Sequence, residues 1–210
     1  MSNLAPEMAF WAAGVDGIYR KYDLDLSPAR ALADCIRSKI DAFFSGNEQL
    51  KPGTLIYGPP GVGKTGLLVG GVKEFLRFKF KRLAIYEKIA VCSEKSRRAF
   101  SDIDMLEYID CLYKEWFALN TLKAEYAPAL VRISCLAIDT IDSTNLTLAR
   151  EALMLMLVER AYAGRLTFFA CNASLDELAE RVGHRVFDRL TDDRYYDIFH
   201  VEGRSRRSNG

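Results

Sequence analysis

Thr54-Leu-Ile-Tyr-Gly-Pro-Pro-Gly-Val-Gly-Lys-Thr-Gly-Leu-Leu68 is the stretch that decides the fold. Its middle, Gly58 to Thr65, matches G-x-x-x-x-G-K-[ST] at every defined position. The pattern has a mechanical reading. Gly58, Gly61 and Gly63 let the backbone wrap with its N–H groups turned inward, and Pro59, Pro60 and Val62 complete the loop. A helix opening at Lys64, Thr65 and Gly66 adds its positive end. Lys64 reaches the β- and γ-phosphates and Thr65 offers a hydroxyl to magnesium, so the expected cargo is a nucleoside triphosphate with Mg²⁺. The flanks agree, because Leu55-Ile-Tyr57 reads as a short buried strand and Gly66 to Leu76 as an apolar helix.

At 210 residues the chain is long enough for one α/β domain with a full core and scarcely for two. Its 29 basic groups nearly balance 28 acidic ones, so any nucleic-acid contact has to be local. No apolar run approaches the ~18 residues that would span a bilayer, and Met1 to Trp11 lacks the basic-then-apolar layout of a signal peptide. No membrane association and a cytoplasmic protein are expected. Cys35, Cys92, Cys111, Cys135 and Cys171 are widely spaced without a C-x-x-C pair, as buried free thiols are.

Outward from the loop, strands and helices alternate. Residues 1–26 form a lead-in, with Tyr22 to Ser27 polar and extended. Ser27-Pro28 reads as a helix N-cap with proline following, and the helix runs to Ser45-Gly46-Asn47. Beyond the phosphate-loop helix, Leu83 to Tyr86 is expected as the second strand, Lys95 to Glu107 as helix and Asp110 to Tyr126 as a further helix ended by Pro128. Val131 to Ile138 is a strand buried on both faces and closed by Asp139. Leu146 to Ala163 is a long helix ended by Gly164, Leu166 to Ala170 a strand, Ser174-Leu-Asp-Glu177 a capping box, and Tyr195 to Val201 an edge strand. The expected fold class is therefore α/β: a P-loop NTPase with a parallel sheet, helices on both faces and little or no separate lid, over residues 27–203, with a loose basic tail at 204–210.

Nucleotide hydrolysis needs an acid for Mg²⁺ and a group that orients water. Asp139, at the carboxyl end of an apolar strand, fits the first role. Thr140 follows it, where many ATPases of this architecture place a carboxylate; Asp142 or another acid takes that role, or hydrolysis is slow. Asn172 ends a strand where its amide could orient water, or could equally cap the next helix. Arg185 and Arg189, four apart, share a helix face, as solvated arginines do and as a group reaching a neighbouring subunit's phosphate would. Arg77-Phe-Lys-Phe-Lys-Arg82 interleaves aromatics with bases, as single-strand surfaces do, but more often marks a basic helix end with core-facing rings. Ser96-Arg-Arg98 is a second such candidate. Met8, Phe10 and Trp11 are either a small partner anchor or an apolar N-terminus folding back on its own core.

Gly58 to Thr65, Leu136 to Asp139, Thr167 to Asn172 and Gly183-His-Arg-Val-Phe-Asp-Arg-Leu190, in this order and spacing, resemble the DnaC/IstB-type AAA+ ATPases, which include helicase loaders and transposition helper ATPases. Gly203-Arg-Ser-Arg-Arg207 is similar to that family's Ser-x-Arg ending, and Gly17-Ile-Tyr-Arg-Lys-Tyr22 to its entry into the ATPase domain. The likeness covers about residues 14 to 207. It implies ATP as ligand, Lys64 and Thr65 as phosphate and magnesium contacts, Asp139 as magnesium acid and Asn172 as γ-phosphate sensor. It also implies Arg189 as the finger given to a neighbour's ATP, with Arg185 beside it, and Arg207 as second sensor. Two departures are expected to matter: Thr140 stands in the catalytic acid's place, and the loaders' N-terminal partner-binding region is nearly absent.

The implied function is an ATP-dependent homo-oligomer acting on single- or double-stranded DNA as a DnaC-like helicase loader, with a replicative helicase as partner. An IstB/TnsC-like regulator partnered by a transposase, or a nucleotide-gated scaffold with little hydrolysis, are the alternatives. A small-molecule P-loop kinase is disfavoured because no arginine-rich lid follows the core.

Overall fold

A computed structural model describes Phe10 and residues 13–15, 17–47, 49–90, 111–115, 127–142, 150–203 and 205. The expectations for Met8, Trp11, Lys95 to Glu107, Ser96-Arg-Arg98 and Arg207 lie outside the described residues. Two short 3-10 helices, Gly17–Lys21 and Leu24–Leu26, lead into α1 (Arg30–Ser45). Then follow β1 (Gly53–Tyr57), α2 (Lys64–Ala90), β2 (Cys111–Glu115), α3 (Ala127–Arg132), β3 (Cys135–Asp139) and α4 (Arg150–Tyr162). The chain closes with β4 (Leu166–Cys171), α5 (Leu175–Val182), α6 (His184–Leu190) and β5 (Tyr196–His200).

All pairings in the sheet are parallel and the strand order is β2-β3-β4-β1-β5. One face carries α1 and α2, through Ile36, Ile40, Leu68, Val72 and Phe75 packed on Ile56 and Phe168. The other carries α4, α5 and α6, through Leu157, Leu178, Val186 and Leu190 on Leu55 and Phe169. The helix after β1 thus goes to one face and those after β3 and β4 to the other. A crevice opens where adjacent strands send their connections to opposite faces, outside the carboxyl ends of β1, β4 and β3.

Several local expectations needed correction. Leu83 to Tyr86 continues α2 as helix and is no strand; no glycine or proline falls between Val72 and Ala90, and helix propagation is cooperative until a breaker intervenes. The second strand is Cys111–Glu115, inside the segment expected as a helix from Asp110. A five-residue apolar-led run has no period of its own, so pairing with β3 decided it. Pro128 sits in the first turn of α3 instead of ending a helix, and Val131 and Arg132 belong to α3, which shortens the Asp139 strand to five residues. Tyr22 to Ser27 is partly helical, and α1 begins at Arg30, capped by Ala29 without a side-chain bond. Ser27 instead closes the second 3-10 helix by donating its amide to the Leu24 carbonyl at 3.1 Å. Gly46 ends α1 in the left-handed conformation, and Ser174 with Glu177 forms the expected capping box on α5.

Two buried cations lock the layers. Arg160, with no exposed surface, donates to Thr167 Oγ1 (2.9 Å) and to the carbonyls of Leu130 (2.6 Å), Ile133 (2.7 Å) and Leu166 (2.6 Å), joining α4 to α3 and β4. Lys39 donates to the carbonyls of Lys51 (2.7 Å) and Gly53 (2.9 Å) and pairs with Asp197 at 2.8 Å, joining α1 to β1 and β5. Burial lowers the Lys39 pKa from its ordinary value. Among the described cysteine side chains, Cys35, Cys135 and Cys171 are free thiols.

Candidate functional site

Between Tyr57 and Lys64 the chain turns through positive φ at Gly58 (145°), Gly61 (83°) and Gly63 (107°), a conformation L side chains rarely adopt. Two of these glycines are also required by close approach. A Cβ on Gly58 would collide with the Val201 carbonyl, and one on Gly61 with the Ser205 side chain. The end of β5 and the residues after it therefore lie against the outside of the loop, leaving its inner side to the crevice.

Lys64 is buried and donates to the carbonyls of Gly58 (2.7 Å) and Pro59 (2.8 Å), so its ammonium is held within the loop's own curl. Thr65 donates its hydroxyl to Asp139 Oδ2 at 2.6 Å, across 74 residues of sequence. Asp139 Oδ1 accepts the Thr140 amide at 3.0 Å. A hydroxyl and a carboxylate touching at the mouth of a phosphate loop are the donor set that holds Mg²⁺ beside nucleotide phosphates. No cluster of three or more His, Cys, Asp or Glu that could hold a metal occurs among the described residues.

The cavity above these groups is about 550 Å³, within the range of small-molecule and cofactor sites. Pro60, Gly61, Gly63, Lys64, Thr65 and Gly66 form one side, Asp139, Thr140 and Asn172 another. Thr140 has φ of 57°, the one positive φ among the described non-glycine residues. A β-branched residue in that region is strained, and such strain collects at functional sites.

The third wall is formed by Lys21, Tyr22, Asp23, Leu26, Ser27 and Pro28. The lead-in reaches this place because Gly70 has no side chain: a Cβ there would stand 2.8 Å from the Leu24 nitrogen. Lys73, buried in α2, donates to the carbonyls of Arg20 (3.0 Å) and Tyr22 (2.8 Å), and Arg77 pairs with Asp23 at 2.7 Å. Burial pushes the Asp23 carboxyl up, but the Arg77 bond, the Asp25 amide and the charges of Arg77 and Lys73 together outweigh it and hold the pKa below its ordinary value. Sequence reasoning missed this wall. Its one readable signal was the Gly17 to Tyr22 segment, since nothing in the lead-in itself shows that Lys73 and Arg77 hold it.

No protein-family model matches the chain, and no curated protein matches it in sequence. Solved structures do match. The DnaC helicase loader superposes with a TM-score of 0.57 at 20% identity, over 89% of this chain and all of that one. A candidate primosome component from Streptococcus pyogenes serotype M3 gives 0.59 at 20% identity, over 98% and 100%. The fold is the one that these structures share, a phosphate-loop α/β fold. DnaI gives 0.54 at 16% identity, over 89% and 90%, and AMPPCP-bound DnaA from Aquifex aeolicus gives 0.61 at 15%, covering 52% of that chain.

Within this fold the expected site residues fall into two groups. Gly61, Gly63, Lys64, Thr65, Asp139 and Asn172 are brought to one cavity. Arg185 and Arg189 are not: both are exposed on α6, and Arg189 lines a separate small depression with Leu157, Tyr162, Asp192 and Tyr195. Asp142 does not line that cavity. It is 4% exposed, accepts the Asn172 amide at 3.1 Å and pairs with Arg181 at 3.2 Å. Phe10 is buried in the core, its ring 5.5 Å from the Lys73 ammonium, so it folds back and offers no anchor. Phe78 and Phe80 also pack on the core, and Arg77 pairs with Asp23 and Glu74, so the basic stretch reads as a helix surface over core rings. No helix among the described residues is long and apolar enough to cross a membrane.

Proposed function

We propose that the protein is an ATP-binding AAA+ switch that assembles with copies of itself on DNA and acts as a loader of a replicative helicase. The observation that carries the reading is the convergence of Thr65 and Asp139 at 2.6 Å beneath the phosphate loop, with Asn172 on the same cavity. The superposition with the DnaC helicase loader supports the loader role.

ATP would enter the cavity with its phosphates on the loop amides and on Lys64, which exchanges the Gly58 and Pro59 carbonyls for phosphate oxygens. Thr65 and Asp139 would hold Mg²⁺, whose charge neutralises the β- and γ-phosphates. Asn172 orients water at the terminal phosphate. The lead-in wall from Tyr22 to Pro28 excludes solvent from the rest of the nucleotide. The exposed position of Arg189, away from its own subunit's cavity, suits a finger given to the next subunit. With Thr140 after Asp139 and Asp142 already bonded, no carboxylate among the described residues next to Asp139 stands ready to take the water's proton. Turnover is accordingly slow, and ATP serves chiefly to gate assembly.

The test is binding of a fluorescent ATP analogue with and without Mg²⁺, followed by electron microscopy with non-hydrolysable ATP and single- or double-stranded DNA. Wild type binds and assembles; Lys64→Ala loses binding and keeps its fold. Arg189→Ala binds ATP but does not assemble. A Lys64→Ala variant that binds ATP as wild type does would refute the site. Filaments on double-stranded DNA that recruit a transposase and no helicase would favour the transposition role.

A further inference from the structure

We infer that Asp142 is a positioning residue, which sets Asn172 against the terminal phosphate and, through Arg181, ties that sensor to the helix pair carrying Arg185 and Arg189. The inference rests on the proposed ATP site and goes beyond it, because neither Asp142 nor Arg181 lines the cavity.

The regular pairing of β3 with β4 ends at Ile138 opposite Phe169. Past the strained turn at Thr140 the chain is stitched back to β4 by the Ile141 amide, which donates to the Ala170 carbonyl at 3.0 Å. That bond delivers Asp142 to the end of β4. There Oδ1 accepts the backbone amide of Asn172 at 3.1 Å, and Oδ2 accepts Arg181 Nη1 at 3.2 Å. The same Arg181 nitrogen donates to the Asp142 carbonyl at 3.3 Å. One buried carboxylate therefore joins three pieces: the loop after the magnesium acid, the sensor residue and the last turn of α5.

The choice of residue is informative. A neutral acceptor would suffice for the Asn172 amide, whereas a buried charge is tolerated only when paired and hydrogen-bonded. The charge thus obliges Arg181 to stay. Cys171, beside it, adds no charge of its own: burial, and next the Asp142 carboxylate, push its thiol up to about 12. Arg181 reaches the interface helix through a short rigid link, because Gly183 both ends α5 and starts α6, accepting the Val186 and Phe187 amides at 3.1 and 3.0 Å. A shift of Asn172 on meeting a terminal phosphate would be felt at α6 through two hydrogen bonds and one helix junction.

The experiment compares fluorescent ATP and ADP analogues for wild type, Asp142→Asn, Arg181→Lys and Arg181→Ala, with a thermal melt of each. Asp142→Asn removes the buried charge, keeps an acceptor for the Asn172 amide and leaves unpaired only Arg181, 41% exposed at its side chain, so it keeps the fold even where Arg181→Ala, which strands a buried carboxylate, does not. The expected result is a fall in ATP preference over ADP of about tenfold, the equivalent of one lost charge-assisted hydrogen bond. ADP affinity stays within about twofold and Arg181→Lys recovers part of the preference. Variants that melt lower but keep the wild-type ATP/ADP ratio would reduce Asp142 to a fold-stabilising residue and overturn the inference. So would a wild type that binds both nucleotides equally. A wild type that binds neither refutes the ATP site itself, a separable outcome.

Discussion

Thr140 is the position where stability and turnover can be read from the same substitutions. It holds a β-branched side chain at φ of 57° on the cavity wall, directly after Asp139. A left-handed conformation costs a non-glycine residue about 1–2 kcal/mol. Thr140→Gly removes that strain but adds about 0.5–1 kcal/mol of unfolded-chain entropy. The net gain is about 0–1.5 kcal/mol, which raises Tm by up to about 6 °C in a domain of this length. Thr140→Glu keeps the strained backbone without the β-branch and leaves the amide bond to Asp139 in place, so Tm moves little. It also supplies a carboxylate where a base is missing; a positioned general base contributes about 10²–10⁴ in rate, so phosphate release should rise at least tenfold. Differential scanning fluorimetry and a coupled phosphate assay with ATP, Mg²⁺ and DNA read the two effects. A Thr140→Gly variant that melts lower than wild type would show that the turn is not strained. A Thr140→Glu variant that binds ATP normally but turns over no faster would show that the missing base does not limit the reaction.

Three further outcomes follow from buried polar groups. Arg160→Met leaves the carbonyls of Leu130, Ile133 and Leu166 without their donor, which should cost about 3–5 kcal/mol in urea unfolding, with Arg160→Lys intermediate; a loss under 1 kcal/mol would contradict the clamp. Thr54 carries a buried hydroxyl with no hydrogen-bond partner, so Thr54→Val should stabilise by about 1–2 kcal/mol, and a lower Tm would argue that the hydroxyl is satisfied. Asp197 and Asp23 have folded pKa values below the ordinary 3.8: burial raises each, but Lys39 with Lys51 on Asp197, and Arg77 with the Asp25 amide and Lys73 on Asp23, together outweigh it. A depressed carboxylate contributes stability above its unfolded pKa and loses it as pH falls through the folded one, so unfolding free energy should decline below about pH 5. Lys39→Met should flatten that decline, and an unchanged slope would exclude the Lys39–Asp197 pair as its source.

The phosphate loop, the strand before it, Asp139 at a strand end, the β4 strand and the Ser174 capping box were legible because each is a local signal. Their residues must have those identities to form a nest, a buried strand or a cap, whatever surrounds them. Where the signal was only propensity, it misled. Leu83 to Tyr86 has strand-like composition but lies in an unbroken helix, and Cys111 to Glu115 became a strand because β3 offered it an edge.

The sequence by itself therefore determined the phosphate loop and the α/β fold, since a loop of inward N–H groups and buried parallel strands constrain residue types over a few consecutive positions. Tertiary structure alone decided which residues meet across long separations. It brought Thr65 against Asp139, laid the lead-in along α2 over Gly70, and spent the Asp142 carboxylate on Asn172 and Arg181. It also placed Arg189 on a separate depression, apart from that cavity. Such partnerships depend on distance and burial in the packed molecule, and neither quantity is written in the spacing of residues along the chain.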